Sequence, residues 1–192
     1  VQRAIKPEPG LQLVIACDCG NTLNPAASFQ QRVGQQIRVL AEVLPPMDLV
    51  QFAAAIKRER ETTFADIAEV VIVADPAARA RSAMNAQITF AQLLSHYTGI
   101  EVLLAPSNDP NVRHTALSNV FQRNVLGGEP GFLVGTNCPG TIEALAGGWR
   151  FKRTGDKVSP TAEKNIHSHI GEATEYGPLA MEGLGLGGGF IH

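Results

Sequence analysis

Three acidic residues fall where a metal-dependent hydrolase needs them. Asp18 closes the apolar run over residues 11–16, Asp75 directly follows the apolar segment 70–74, and Glu172 lies in the first turn of the last helical segment. Short apolar runs bounded by turn residues read as buried strands, so each Asp comes at the C-terminal end of a strand. If those two strands are neighbours in one sheet, the carboxylates sit side by side. Adjacent carboxylates repel each other and are tolerated when they share a divalent cation. A third acid arriving from a helix would complete a site for two ions, which activate a water and stabilise the leaving oxygen of a phosphodiester. Hard oxygen donors favour Mg²⁺ or Mn²⁺ over zinc. Taken singly, the same acids also suit structural work, since Asp75-Pro76 is a good turn or helix-cap pair.

The elements that must position these acids follow from the pattern of apolar residues. Residues 11–16, 26–33 and 37–43 read as three antiparallel strands joined by tight turns. Pro45-Pro46 ends the ladder, and Leu49, Phe52, Ala53 and Ile56 then recur at helical spacing. Strands and helices alternate from there: a strand at 70–74, a helix at 85–97 capped by Gly99, a strand at 100–104, and a helix opened by Asn108-Asp109-Pro110. After a glycine-rich break at 127–131 come a strand at 132–134, a helix at 141–146, a strand at 149–152 and a last helix at 168–181. This predicts an α/β fold with a ribonuclease H-like mixed sheet, three antiparallel strands followed by βαβα, flanked by helices. Half of an actin-like ATPase has the same order, and topology alone leaves both open. Residues 1–10 read as an N-terminal extension, 11–182 as one domain and 183–192 as a glycine-rich flexible tail.

The 192 residues are 44% hydrophobic and 18% charged, which excludes disorder and suits one domain with a real core. No apolar stretch is long enough to span a membrane and residues 1–10 lack the apolar centre of a signal peptide, so a cytoplasmic location is expected. A net charge of −2 does not recommend a polyanion partner, so any nucleic-acid site must be local. Three cysteines, Cys17, Cys19 and Cys138, form neither a disulfide framework nor a zinc knuckle. Cys17 and Cys19 bracket Asp18 but alternate to the opposite face of the strand. A chain that starts at Val1 instead of Met is read as a piece of something larger.

Secondary candidates surround the acids. His169 is one helical turn before Glu172 and could orient that carboxylate or contact a metal or scissile phosphate; Ser168 and His169 could equally just cap the helix. Glu42 ends the third strand, either as a supporting acid or as the partner of a surface cation. Arg79 and Arg81 follow Asp75, and Arg150, Lys152 and Arg153 form a basic strand; both groups could reach phosphates, or form a solvated face. Trp149, among apolar neighbours, reads as a core anchor.

An ordered set of pieces along the chain resembles the nuclease domain of the large terminase subunit of tailed bacteriophages. These are Asp18-Cys19-Gly20 with Pro25; Arg38-Val39-Leu40-Ala41-Glu42; Ala74-Asp75-Pro76-Ala77 with Arg81-Ser82; Ala105-Pro106-Ser107-Asn108-Asp109 with Arg113; and the stretch from Leu145 through Gly147-Gly148-Trp149 to Arg153. The most specific piece runs from Lys164-Asn165-Ile166-His167-Ser168-His169 to Glu172-Ala173 and Tyr176, where the family usually has Asp in place of Glu172. The resemblance implies a metal-dependent endonuclease that cuts concatemeric double-stranded DNA with little sequence preference. Asp18 would bridge two ions, with Asp75 on one and Glu172 on the other. It also implies partners: double-stranded DNA, and in the full-length protein an ATPase domain, the portal and the small terminase subunit, all in the host cell cytoplasm.

No Gly-x-x-x-x-Gly-Lys-Ser/Thr loop is present, so the ATPase half is missing and no nucleotide site is expected. Two other readings stay in view. Asp18-Cys19-Gly20-Asn21-Thr22 also fits the phosphate loop of an actin-like nucleotide-binding fragment, although 192 residues leave no room for the second lobe such proteins close over the nucleotide. The alternative of a non-catalytic module docking on the portal would read Glu172 as a sign of lost activity.

Overall fold

The computed structural model describes residues 1–19, 24–82, 85–155 and 157–188. In chain order the elements are β1 (Gln2–Arg3), β2 (Leu13–Asp18), β3 (Ala26–Val33), β4 (Gln36–Val43), α1 (Leu49–Thr62), β5 (Val70–Ala74), β6 (Arg81–Ser82), β7 (Asn85–Thr89), α2 (Phe90–Thr98) and β8 (Val102–Leu104). They continue with α3 (Pro110–Phe121), β9 (Asn124–Val125), β10 (Glu129–Pro130), β11 (Phe132–Gly135), α4 (Pro139–Glu143), β12 (Phe151–Thr154), β13 (Lys157–Ala162) and α5 (Ser168–Gly183). Seven strands form one sheet in the order β1-β11-β4-β3-β2-β5-β8. Strands β2, β3 and β4 are antiparallel, while β5, β8, β11 and β1 each join their neighbour in parallel.

The sheet is buried on both faces, which is why β2 is apolar at every position up to Asp18 instead of alternating. Strand parity then sorts the side chains. Leu13, Ile15, Cys17 and Cys19 pack with α1 and α2 through Phe52, Ile56 and Leu94. Val14, Ala16, Val71 and Val73 pack on the other face with α3 and α5 through Leu117, Val120, Tyr176 and Ala180. The four residues that mark the first helix in the sequence, Leu49, Phe52, Ala53 and Ile56, are its buried ones. Gly99 ends α2 at φ 72°, in the left-handed region that glycine adopts without a Cβ penalty. Asp109 caps α3 by accepting from the Asn111 amide at 2.8 Å, and Pro110 supplies the first helical residue.

Several expectations are corrected. Residues 85–97 are not one helix: 85–89 form β7, paired with β6, and a capping box between Thr89 and Gln92 starts α2 only at Phe90. The strand expected at 149–152 is shifted to β12, and its partner β13 completes a hairpin whose polar sequence carries no strand signal. Gln2 and Arg3, read as an extension, add the edge strand β1 to the sheet. Gln31 pins the segment that follows by donating to Glu8 O and Leu11 O at 3.0 Å each. At the other end Gly187 N donates to Gln12 Oε1 at 2.8 Å, so the glycine-rich stretch contacts the domain at least to that point; residues 189–192 lie outside the described residues.

Candidate metal-dependent active site

The register of β2 and β5 brings the two aspartates together. Cys17 pairs with Ala74 in that parallel ladder, so one further step places Asp18 beside Asp75, both on the sheet face covered by α3 and α5. Both are buried, at 5% and 4% exposure. Asp75 does what its Asp-Pro sequence suggests: Oδ1 accepts from the Ala78 amide at 3.1 Å and caps the 3-10 turn Pro76–Arg79. Its other oxygen accepts from the Cys19 amide at 3.2 Å. Capping therefore does not compete with a second role, because it holds the carboxylate still. Burial first, then the neighbouring Asp18 charge, pushes the Asp75 carboxyl up from 3.8 to about 6. Cys19 is pushed well up by burial, then by Cys17 and the two aspartates, so its thiol stays protonated and is a poor metal ligand, in keeping with its place on the opposite face.

His169 arrives from the first turn of α5, and its Nδ1 lies 2.8 Å from Asp18 Oδ2. It is thus placed on Asp18 and not held as a helix cap; the helix start is organised by Asn165, whose Oδ1 accepts from the His167 amide at 2.8 Å. Glu172, one turn further on, is turned to cations: Lys164 Nζ is 2.5 Å from Oε1 and Arg113 Nη1 is 3.6 Å from Oε2. Among the described residues no group of three His, Cys, Asp or Glu side chains is gathered tightly enough to hold a metal ion by itself. The charges of all three acids are felt at the buried Tyr176 hydroxyl. Burial pushes its ionisation up, Arg113 pulls it down, and the charges of Asp75, Asp18 and Glu172 each push it up again.

Tyr176 belongs to a buried network joining pieces far apart in the sequence. Its hydroxyl donates to Asn108 Oδ1 at 2.7 Å and accepts from Arg113 Nη1 at 3.1 Å, and the Arg113 guanidinium also lies over the Tyr176 ring at 5.0 Å. Arg113, with only 7% of its side chain exposed, lies 3.7 Å from the fully buried Glu175, which also pairs with His114. On balance burial holds the Glu175 carboxyl above its ordinary range, although His114 and Arg113 pull it down. Glu175 is not singled out in the sequence; its one signal is a position one turn after Glu172 on the same helix face. Trp149 packs directly on Gly171, where an added Cβ would come within 2.6 Å of the indole.

The other candidates separate. Glu42 is engaged with α4: its carboxylate accepts from Gly140 N, Thr141 N and Thr141 Oγ1, each at 2.8 Å, and so caps that helix from the end of β4. Arg79 is exposed at the end of the turn that Asp75 caps. Arg150 is exposed and paired with Glu163 at 3.2 Å, and Lys152 is exposed on β12. The side chains of Arg81 and Arg153, and residues 20–22 of the loop after Asp18, lie outside the described residues.

No protein-family profile matches the chain, and no curated protein sequence matches it. Solved structures do. The large terminase of a thermophilic bacteriophage, in complex with ATP-gamma-S, superposes with a TM-score of 0.64 at 13% identity, covering 93% of this chain and 42% of that one. The large-terminase nuclease domain of bacteriophage SPP1, crystallised with bound Mn, gives 0.61 at 16% identity over 95% of this chain and 94% of that domain. The nuclease domain of the P22 large terminase gives 0.62 at 14% identity over 95% and 88%. This chain spans about two fifths of the thermophilic phage's large terminase. Its fold, a mixed α/β sheet flanked by helices, is the fold of the large-terminase nuclease domains of bacteriophages SPP1 and P22.

Proposed function

We propose that the chain is a metal-dependent endonuclease domain of a phage DNA-packaging terminase, with a ribonuclease H-like sheet, which cuts concatemeric double-stranded DNA with little sequence preference. The observation that carries this is the juxtaposition of Asp18 and Asp75, two buried carboxylates at neighbouring strand ends with His169 against the first. Burial, and after it repulsion from Asp18, raises the proton affinity of Asp75, the cost expected of a pair whose partner is a cation. The donor set fits Mg²⁺ or Mn²⁺: such ions are held by one or two carboxylates and complete their shells with water and substrate phosphate, so an all-protein cage is not required. Asp18 and Asp75 would hold the metal, with Glu172 reaching a second ion. When bound, the ions supply Lewis-acid activation of water and charge neutralisation at the leaving oxygen.

The chain's own residues do the rest. His169 Nδ1, 2.8 Å from Asp18 Oδ2, fixes the orientation of that carboxylate. The amides of Cys19 and Ala78 hold Asp75. Arg113, through Tyr176, Glu172 and Glu175, locks α5 against α3 and so keeps His169 and Glu172 in register with the strand ends. Arg79, Arg81, Arg150, Lys152 and Arg153 are proposed phosphate contacts, and a fused ATPase domain, portal and small subunit are the proposed partners. Among the described residues no helix is long and apolar enough to cross a membrane; the proposed location is the host cell cytoplasm. The test is incubation with supercoiled plasmid and Mn²⁺ or Mg²⁺ against an EDTA control. Cleavage by the wild type that disappears in Asp18→Ala and Asp75→Ala supports the reading; no cleavage with either metal, together with calorimetric ATP binding, overturns it.

A further inference from the structure

A groove of about 660 Å³ opens beside His169, between the Leu44-Pro45-Pro46 corner and residues 164–170. At its rim Ile166 is 80% exposed. Single exposed apolar residues are ordinary on protein surfaces, but this one is presented by a fixed turn. Asn165 Nδ2 donates to Gly148 O at 2.9 Å, the His167 amide donates to Asn165 Oδ1 at 2.8 Å, and the buried Ser168 hydroxyl donates to Asn165 O at 2.8 Å. Lys164 and His167 flank Ile166, and Glu143 is the acidic residue in the lining. His169, whose Nδ1 meets Asp18 Oδ2, lines the groove, so a polymer whose reacting phosphate sits beside that pair can lay its neighbouring units along it.

We propose that this groove seats the DNA strand flanking the scissile phosphate, with Ile166 packing against its sugars and base edges and His167 facing its phosphates. The proposal rests on the nuclease reading and adds to it the path of the substrate. An apolar side chain held rigidly at a duplex is a known device for gripping DNA without reading sequence, which suits an enzyme that cuts with little preference.

The contact can be mapped by attaching a benzophenone to Ile166→Cys in the full chain; the native Cys17, Cys19 and Cys138 are buried, so the new thiol takes the label. Irradiation with a labelled duplex, with Ca²⁺ in place of Mg²⁺, should crosslink nucleotides adjoining the cut bond. Ile166→Ser, in steady-state cleavage with Mn²⁺, should raise KM about tenfold with kcat and melting temperature unchanged. A wild type that cuts DNA while Ile166→Ser matches its KM, or while crosslinks fall far from the cut, overturns the proposal. Crosslinking of the duplex through labelled Ile166→Cys at one defined position, with a wild type that never cleaves DNA, supports the groove and overturns the nuclease reading.

Discussion

His169 and Asp18 are 151 positions apart in the chain and meet at 2.8 Å, imidazole Nδ1 to carboxylate Oδ2. A carboxylate orienting a histidine, or the reverse, fixes both groups where chemistry needs them. If His169 steadies Asp18 for metal, His169→Ala lowers the apparent Mn²⁺ affinity by about 10- to 100-fold. His169→Asn, which can still donate to Asp18, recovers part of the loss. Metal titrations of plasmid nicking measure this; equal Mn²⁺ midpoints for wild type and His169→Ala would contradict it.

Asp75 gives a pH signature. Its carboxyl is raised to about 6 in the folded, metal-free protein, from an ordinary value of 3.8. The folded state therefore binds this proton more tightly than the unfolded one, and the stabilisation it gives is complete below the unfolded value and is lost as pH rises through about 6. A divalent cation replaces the proton. Mn²⁺ should accordingly raise the melting temperature more at neutral pH than at about pH 5, and its binding near pH 6 should release protons. Calorimetry in two buffers of different ionisation enthalpy reads the release directly; a buffer-independent heat would show that Asp75 is already ionised.

The two aspartates were legible in the sequence because strand ends are marked by the switch from apolar to polar residues, and parity settles which face they take. The third position was harder. Nothing in the spacing of Glu172 distinguishes a carboxylate aimed at a metal from one paired with Lys164 and Arg113, since both are long-range choices of side-chain direction. Glu42 is the sharper case: from sequence it is an acid near the right sheet edge, yet the first turn of α4, 98 residues away, takes both its oxygens. In the hairpin β12–β13 the first strand was legible near 149–152, while its partner β13 gave no strand signal; Phe151 of β12 packs edge-on against His114, a long-range contact that spacing does not reveal.

Glu42 yields a negative control. Replacing it with Ala leaves the Gly140 and Thr141 amides without their charged acceptor and costs about 2 kcal/mol of stability. Plasmid cleavage per folded molecule stays at the wild-type level. A lower melting temperature with unchanged specific activity is the expected pattern; loss of metal-dependent cleavage in the folded variant would return Glu42 to the site.

Arg113 carries the most weight in the buried network. It stands beside the fully buried Glu175, the buried Tyr176 hydroxyl and Glu172, and removing it leaves Glu175 with His114 as its partner. Stranding a buried carboxylate costs about 3–5 kcal/mol, so Arg113→Met should unfold at markedly lower temperature. Combining it with Glu175→Gln removes the stranded charge and should recover more than half of the loss, a coupling that independent sites do not give. Cleavage separates the structural role from the positioning one. In the double variant, at a temperature where it is fully folded, Glu172 keeps Lys164 but loses Arg113, so kcat should fall while KM for DNA holds. Full kcat in that folded variant would mean that Arg113 serves stability alone.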